Sequence, residues 1–150
     1  MKYTIRPGTL GDIPAVHDLV VELAIYEQAP DAVITTPAQY EQDFAAGRFE
    51  LLVAEAVDSG EIVGMMLFFE AYSTWKGRMM YLDDFVVRTS LRRQGIGKLL
   101  YDAFLKVCSD RAVALAKWQV LDWNAPAIAF YQKQGAELEK GWYNVKYFAE

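Results

Sequence analysis

The chain passes between stretches where apolar residues recur at every second position and stretches where they recur at every third or fourth. "YTIRP", residues 3–7, alternates and stops at a proline, which predicts a short strand. "TLGD" follows as a near capping box, with Asp12 in place of the usual glutamate three residues after Thr9. Behind it Ile13, Val16, Val20 and Leu23 keep helical spacing and predict a helix to about Tyr26. Thr36 as cap and Pro37 in a first turn predict a second, short helix near residues 37–46. "ELLVAEAV" (50–57) and "EIVGMMLFFE" (61–70) read as strands around the hairpin signal "DSG", and "RMMYLDDFVVR" (78–88) as another strand. A helix over 95–108 turns Leu99, Leu100, Ala103, Phe104 and Val107 inward, and "LAKWQVLD" (115–122) predicts a further strand. Residues 125–135 read as a helix ended by Gly135, and a last strand pair is expected in about 137–148. The order β-α-α-β-β-β-α-β-α-β-β predicts an α/β fold, a mixed sheet covered by helices, with no internal repeat, linker or low-complexity tract.

Composition narrows the class. A chain of 150 residues is expected to form one domain, residues 1–150. At that size roughly 68–70% of the unfolded surface is buried, so the core needs no staples. Hydrophobic residues make up 53% and aromatics 14%, which excludes disorder. No segment approaches the roughly 20 apolar residues of a membrane helix. The opening "MKYTIRPGTL" lacks the apolar run of a signal peptide, and the single cysteine, Cys108, offers no disulfide framework. A cytoplasmic location is therefore expected. A net charge of −5 speaks against non-specific nucleic-acid binding and suits cationic ligands.

The candidate chemistry begins in "VRTSLRRQGIGKLLYDAF", residues 87–104. The turn lies between a predicted strand and a predicted helix, where backbone N–H groups are unsatisfied and carry partial positive charge. Gly95 and Gly97 let a ligand approach the backbone, and Arg92, Arg93 and Lys98 add cationic arms, so the turn reads as a phosphate cradle. A P-loop would need another glycine and a hydroxyl that are missing, and a dinucleotide fingerprint would need glycine where Leu100 stands. On this motif alone, a plain glycine-softened helix start with surface basic residues explains the pattern too.

Three quoted pieces together carry a resemblance. "RRQGIG" is similar to the R/Q-x-x-G-x-G/A pyrophosphate loop of the GNAT superfamily of N-acetyltransferases. "NAPAIAFYQKQGA" resembles its second signature, N-x-x-A-x-x-x-Y-x-x-x-G, and "IRPGTLGD" its opening strand and capped helix. "ELAIYE", "YSTW", "YLDDFVV" and "GW" resemble the diamine (spermidine/spermine) and thialysine acetyltransferase branch. The resemblance implies a mostly antiparallel twisted sheet with a splayed parallel strand pair and flanking helices. It also implies acetyl-CoA as cofactor and a homodimer. The pyrophosphate is expected on Arg93, Gln94, Gly95, Ile96, Gly97 and Lys98, with Arg92 as the motif's basic residue. The pantetheine is expected along the backbone edge of Phe85, Val86 and Val87, as an added strand would run. Asn124, Ala125, Pro126 and Ala127 are implied as the other wall; core packing of the Phe85 to Val87 side chains is compatible with this, since only their backbone binds.

Acyl transfer to an amine needs a free lone pair, and an alkyl amine of pKa about 10.4 is neutral in roughly one molecule in a thousand at pH 7. The site must take up that proton and later protonate a leaving thiolate. Tyr131, two helical turns beyond Asn124, matches the family's tyrosine and is implied as that acid; packing of its ring is the plainer alternative. Asp83 aligns with a carboxylate that relays the substrate proton through water; here the arm is one methylene shorter than the branch's glutamate. In a regular strand Asp83 and Asp84 point to opposite faces, so one reaches a cavity unless a bulge re-aims them. Tyr26 and Glu27 match amine contacts of the branch, and Trp75 and Trp142 are candidates to wall an alkyl or cationic chain.

The departures concern the substrate. Ser73 stands where the branch often has a carboxylate, and Lys117 and Lys140 add positive charge that disfavours a polycation such as spermine. A smaller, lysine-like amine gains weight. His17 is expected at the surface, Cys108 is expected to pack, and no metal-ligand spacing appears. Two other readings stand beside a small-molecule N-acetyltransferase: a catalytically idle acyl-CoA-binding or sensor module, and an acetyltransferase acting on protein amines.

Overall fold

The structure is a computed structural model that describes residues 2–149. The chain divides into two units, residues 1–119 and 120–150. In the first, β1 (Tyr3–Pro7), β2 (Glu50–Ala56), β3 (Ile62–Ser73), β4 (Gly77–Val87) and β5 (Leu115–Lys117) form one sheet in that order. The first three pairings are antiparallel and the last, β4 with β5, is parallel. Helices α1 (Ile13–Tyr26), α2 (Pro37–Ala45) and α3 (Ile96–Asp110) complete the unit.

Alternation along the strands gives the sheet two apolar faces. Leu51, Val53, Met65, Leu67 and Val86 join Ile13, Val16, Leu19 and Val20 of α1 in one buried cluster, with Tyr40 and Phe44 of α2 at its margin. On the other face Phe68 meets Phe104 of α3 edge to face, 5.2 Å between ring centres, and Trp118 packs against Tyr101 and Phe104. Truncating a buried ring such as Phe104 to alanine costs about 3–5 kcal/mol. Gly64 lets α3 approach the sheet: a Cβ there would lie 3.1 Å from both Leu100 Cδ1 and the Val86 carbonyl oxygen.

The helix starts follow the sequence signals. Thr36 Oγ1 accepts from Gln39 N while Gln39 Oε1 accepts from Thr36 N, a reciprocal cap for α2. The Thr9–Asp12 box opens a 3₁₀ turn, Leu10–Asp12, which leads into α1. Arg6 grips the Asp12 carboxylate with both Nη atoms at 2.8 and 3.0 Å, which holds Asp12 below the usual carboxylate range against the effect of its burial. Cys108 is buried, as expected. His17 corrects the surface expectation: it is half-buried, its Nε2 donates to the Thr35 carbonyl at 2.8 Å, and its ring stands edge-on to Tyr40.

The strand expected over 115–122 ends at Lys117, where the parallel ladder with β4 stops. In the second unit α4 (Ala125–Lys133) forms, and Gly135 follows it with φ +89° as a left-handed C-terminal residue. The strand pair expected near 137–148 is absent: residues 137–149 hold neither helix nor strand. Strand-forming residues need a partner to close a ladder, and the described residues of this unit supply none.

Candidate active site

Beyond Val87 the chain makes a 3₁₀ turn, Thr89–Leu91, and then reverses into α3 through two left-handed residues, Arg93 (φ +67°) and Gly95 (φ +82°). Gly95 is the residue before the helix, and no side chain caps α3. No side-chain cap therefore takes up the first-turn N–H groups of α3, where the positive end of the helix dipole favours an anion. Arg93 holds a conformation that costs a non-glycine residue about 1–3 kcal/mol. A Cβ at Gly97 would lie 3.7 Å from Phe85 Cζ and 3.9 Å from Val87 Cγ2, ordinary contact distances. Folding thus leaves room for a side chain there, and the space suits a ligand pressed against the loop. Gln94 accepts from the Tyr3 hydroxyl at 2.7 Å, Lys98 pairs with Asp102 at 2.5 Å, and the Arg92 guanidinium lies 4.3 Å above the Tyr26 ring.

Among the described residues the parallel ladder of β4 with β5 covers Met79–Leu115, Met80–Ala116 and Tyr81–Lys117 and stops before Phe85, Val86 and Val87. Phe85 and Val87 lie beneath Gly97 of α3, and Val86 belongs to the core on the α1 side. All three side chains are used in packing.

A cavity of about 180 Å³ lies on the α1 side of the same strand. Leu23, Ala24, Ala32 and Val33 give it apolar walls, and Glu27 and Asp84 line it with carboxylates. A bulge puts Asp84 there: Leu67 pairs with Asp84 and Phe68 with Leu82, so Asp83 is the extra residue. Asp84 is half-buried and Asp83 exposed. Burial, with the charges of Asp83 and Glu27, pushes Asp84 up to about 7. Partial desolvation also raises Asp83 and Glu27. Of the two aspartates in "LDDF", Asp84 lines the cavity. The available signal was period two, since Asp84 shares its parity with the buried Val86 and so interrupts an inward-facing apolar row with a carboxylate.

Of the other expected substrate contacts, Trp75 is 83% exposed in the turn between β3 and β4 and does not line this cavity. Ser73 organises that turn, its hydroxyl accepting from Trp75 N and Lys76 N. In the second unit Asn124 caps α4, its Oδ1 accepting from Ala127 N at 3.4 Å, with Ala125 and Pro126 in the first turn. Tyr131 is half-buried, with its ring 5.8 Å from that of Phe130, and Trp142 is exposed. Among the described residues no group of histidines, cysteines and carboxylates could hold a metal ion, and no helix is long and apolar enough to cross a membrane.

The model of the Acetyltransferase (GNAT) family matches residues 15–136. A thialysine N-epsilon-acetyltransferase from Bos taurus is 35% identical over 157 residues, covering 97% of this chain and 92% of the bovine one. An L-ornithine N5-acetyltransferase from Arabidopsis thaliana is 34% identical over 94 residues, 62% of this chain and 41% of the plant protein. The crystal structure of a metagenomic aminoglycoside acetyltransferase in complex with sisomicin has the same fold, with TM-score 0.81 at 19% identity over 99% of this chain and 97% of the other.

Proposed function

Because the chain belongs to the GNAT acetyltransferase family and is an N-acetyltransferase, we propose that it moves the acetyl group of acetyl-CoA onto the primary amine of a small, lysine-like molecule, by direct attack in a ternary complex. The observation that carries this reading is the adjacency of two different surfaces on β4. Asp84 lines a small cavity with a second carboxylate, Glu27, and the residues that follow it, Phe85 and Val87, lie beneath Gly97 in the first turn of α3. An amine in the cavity would lie on the strand that leads into the glycine loop.

When bound, acetyl-CoA supplies the activated acyl group. Gly95 to Lys98 and the N-terminus of α3, with Arg92 and Arg93, would hold its pyrophosphate, and the backbone of Phe85 to Val87 its pantetheine amides. Glu27 and Asp84 attract the ammonium, and the alanine, leucine and valine walls take its methylenes. Asp84, near 7, accepts a proton about a thousandfold more readily than an aspartate at its ordinary 3.9. Asp83, at the exposed bulge, relays that proton to water. The Tyr131 hydroxyl would supply the proton that a leaving thiolate needs.

A cavity of this size with two carboxylates suits one ammonium on a short chain, and the thialysine and ornithine enzymes among the relatives act on such molecules by their names. Lys117 and Lys140 oppose a polycation. The protein works as one cytoplasmic acetyltransferase domain and assembles as a homodimer through the exposed apolar residues of its C-terminal stretch. The test is a panel of thialysine, lysine, ornithine, putrescine, spermidine and spermine with acetyl-CoA and thiol detection. The expected result is that a lysine-like amine leads and spermine trails. Absence of thiol release with every amine, while acetyl-CoA still binds, would point to an idle acyl-CoA-binding module.

A further inference from the structure

One face of α1 holds the start of the phosphate loop at two points. Glu22 and Tyr26 lie four residues apart and so one above the other on the helix. Glu22 Oε1 accepts from Thr89 N at 2.6 Å and from Thr89 Oγ1 at 2.8 Å, while its Oε2 accepts from Arg88 Nη1 at 3.4 Å. The 3₁₀ turn Thr89–Leu91 has no side-chain cap of its own, because Arg88 occupies the cap position. Glu22 provides that cap from another element. One helical turn on, Tyr26 lies under the guanidinium of Arg92, which closes the same turn. Both ends of residues 89–92 are therefore fixed to α1 immediately before the left-handed Arg93 and the start of α3.

We infer that Glu22 is a positioning residue for acetyl-CoA: with Tyr26 it sets where the pyrophosphate loop leaves β4, without touching the cofactor itself. The inference rests on the acetyltransferase reading of the loop. Its physical basis is preorganisation. A loop that must present several backbone N–H groups to one anion binds it weakly if the loop has first to be ordered. Glu22 is suited to a constant task, because although burial raises its carboxyl, the two Thr89 hydrogen bonds and the charges of Arg88 and Arg92 hold it below the usual range, so it stays ionised at neutral pH. The next residue after Tyr26, Glu27, lines the amine cavity, so α1 is shared by the two halves of the site.

The experiment is calorimetric titration of the full chain with acetyl-CoA, together with steady-state kinetics on the best amine of the panel. Glu22→Ala should weaken acetyl-CoA binding at least about tenfold and raise its KM likewise. The amine KM at saturating acetyl-CoA should stay within about twofold. Glu22→Gln should recover most of the loss, because a carboxamide oxygen still accepts from Thr89. Thr89→Val, which removes one donor at constant shape, should fall between. Glu61→Gln is the control: Glu61 is Arg88's other ionic partner, at 3.8 Å, and its loss should leave acetyl-CoA affinity unchanged. Wild-type affinity in Glu22→Ala, or in both Glu22→Gln and Thr89→Val should the alanine variant not fold, overturns the inference and leaves the loop assignment standing. An equal loss in Glu61→Gln overturns it too, since Arg88 neutralisation would then suffice. A wild-type protein that binds no acetyl-CoA removes the loop assignment and this inference with it.

Discussion

Leu82 and Asp84, two residues apart in β4, face opposite sides of the sheet. Leu82 pairs with Phe68 on the face covered by α3, and Asp84 pairs with Leu67 on the face covered by α1. In a regular strand residues two apart share a face; the bulge at Asp83 lets Leu82 pack under α3 while Asp84 stays on the α1 side with Val86.

That placement gives a pH dependence with a definite sign. Asp84 accepts a proton only when ionised, so kcat/KM for the amine should fall as pH drops through about 7. Burial holds it there first, with the charges of Asp83 and Glu27, and Tyr40 also faces this carboxylate. Asp83→Asn removes a neighbouring negative charge, favours ionised Asp84 and should move the acid limb to lower pH. Asp84→Asn should abolish the limb and cost about 10²-fold or more in kcat. The same shift bears on folding. The folded state holds a proton on Asp84 that the unfolded chain releases near 3.8, so the group's contribution to stability is lost as pH rises from there through 7. Asp84→Asn should therefore raise Tm at pH 8 while it lowers turnover. Thermal melts at pH 5 and 8 and pH–rate profiles check both halves.

Tyr131→Phe keeps the ring and removes the hydroxyl. If that hydroxyl protonates the departing sulfur, kcat and kcat/KM fall together by at least about a hundredfold, with acetyl-CoA affinity and Tm kept. Near wild-type kcat would leave Tyr131 a packing residue beside Phe130.

Gly97→Asp tests the cradle. The position has room for a side chain, so the fold should survive, but a negative charge at the first turn of α3 opposes a pyrophosphate. Acetyl-CoA binding should weaken more than tenfold, with circular dichroism unchanged. Equal affinity by calorimetry would remove the assignment. Gly97→Ala, which adds bulk without charge, should fall between the two.

The C-terminal stretch makes a prediction about assembly. Trp142, Tyr143, Val145, Tyr147 and Phe148 are between 72% and 95% exposed in the single chain. A run of that kind calls for a covering surface, and a second copy with two-fold symmetry would provide one. Light scattering at micromolar concentration should give about twice the 17.0 kDa chain mass. A monomer would refute the dimer.

Local signals carried most of the first unit. Caps at Thr36 and the apolar spacing of Ile13, Val16 and Val20 act within a few residues, so they are legible without the fold. The misreadings came where structure depends on a partner. Residues 118–122 and 137–148 have strand composition, yet a ladder needs a neighbouring strand, which composition does not report. His17 looked polar and exposed because its partner, the Thr35 carbonyl, lies 18 residues away. In the candidate site the glycines and the basic loop were legible as a motif. The cavity position of Asp84 is legible only as parity with Val86, while the bulge at Asp83 that separates it from Leu82 leaves no mark in the pattern of residue types.

The early end of β5 has a consequence for how such a protein changes over time. Along β4 beyond Tyr81, where the ladder with β5 stops, the donor would be gripped by main-chain atoms, which every substitution except proline preserves. The acceptor would be chosen by side chains around Asp84, from Glu27 and from the short residues at 29, 32 and 33. Mutations there would retune which amine is taken while the machinery for the activated acyl group is inherited intact, so one strand would keep a fixed co-substrate and a drifting clientele side by side.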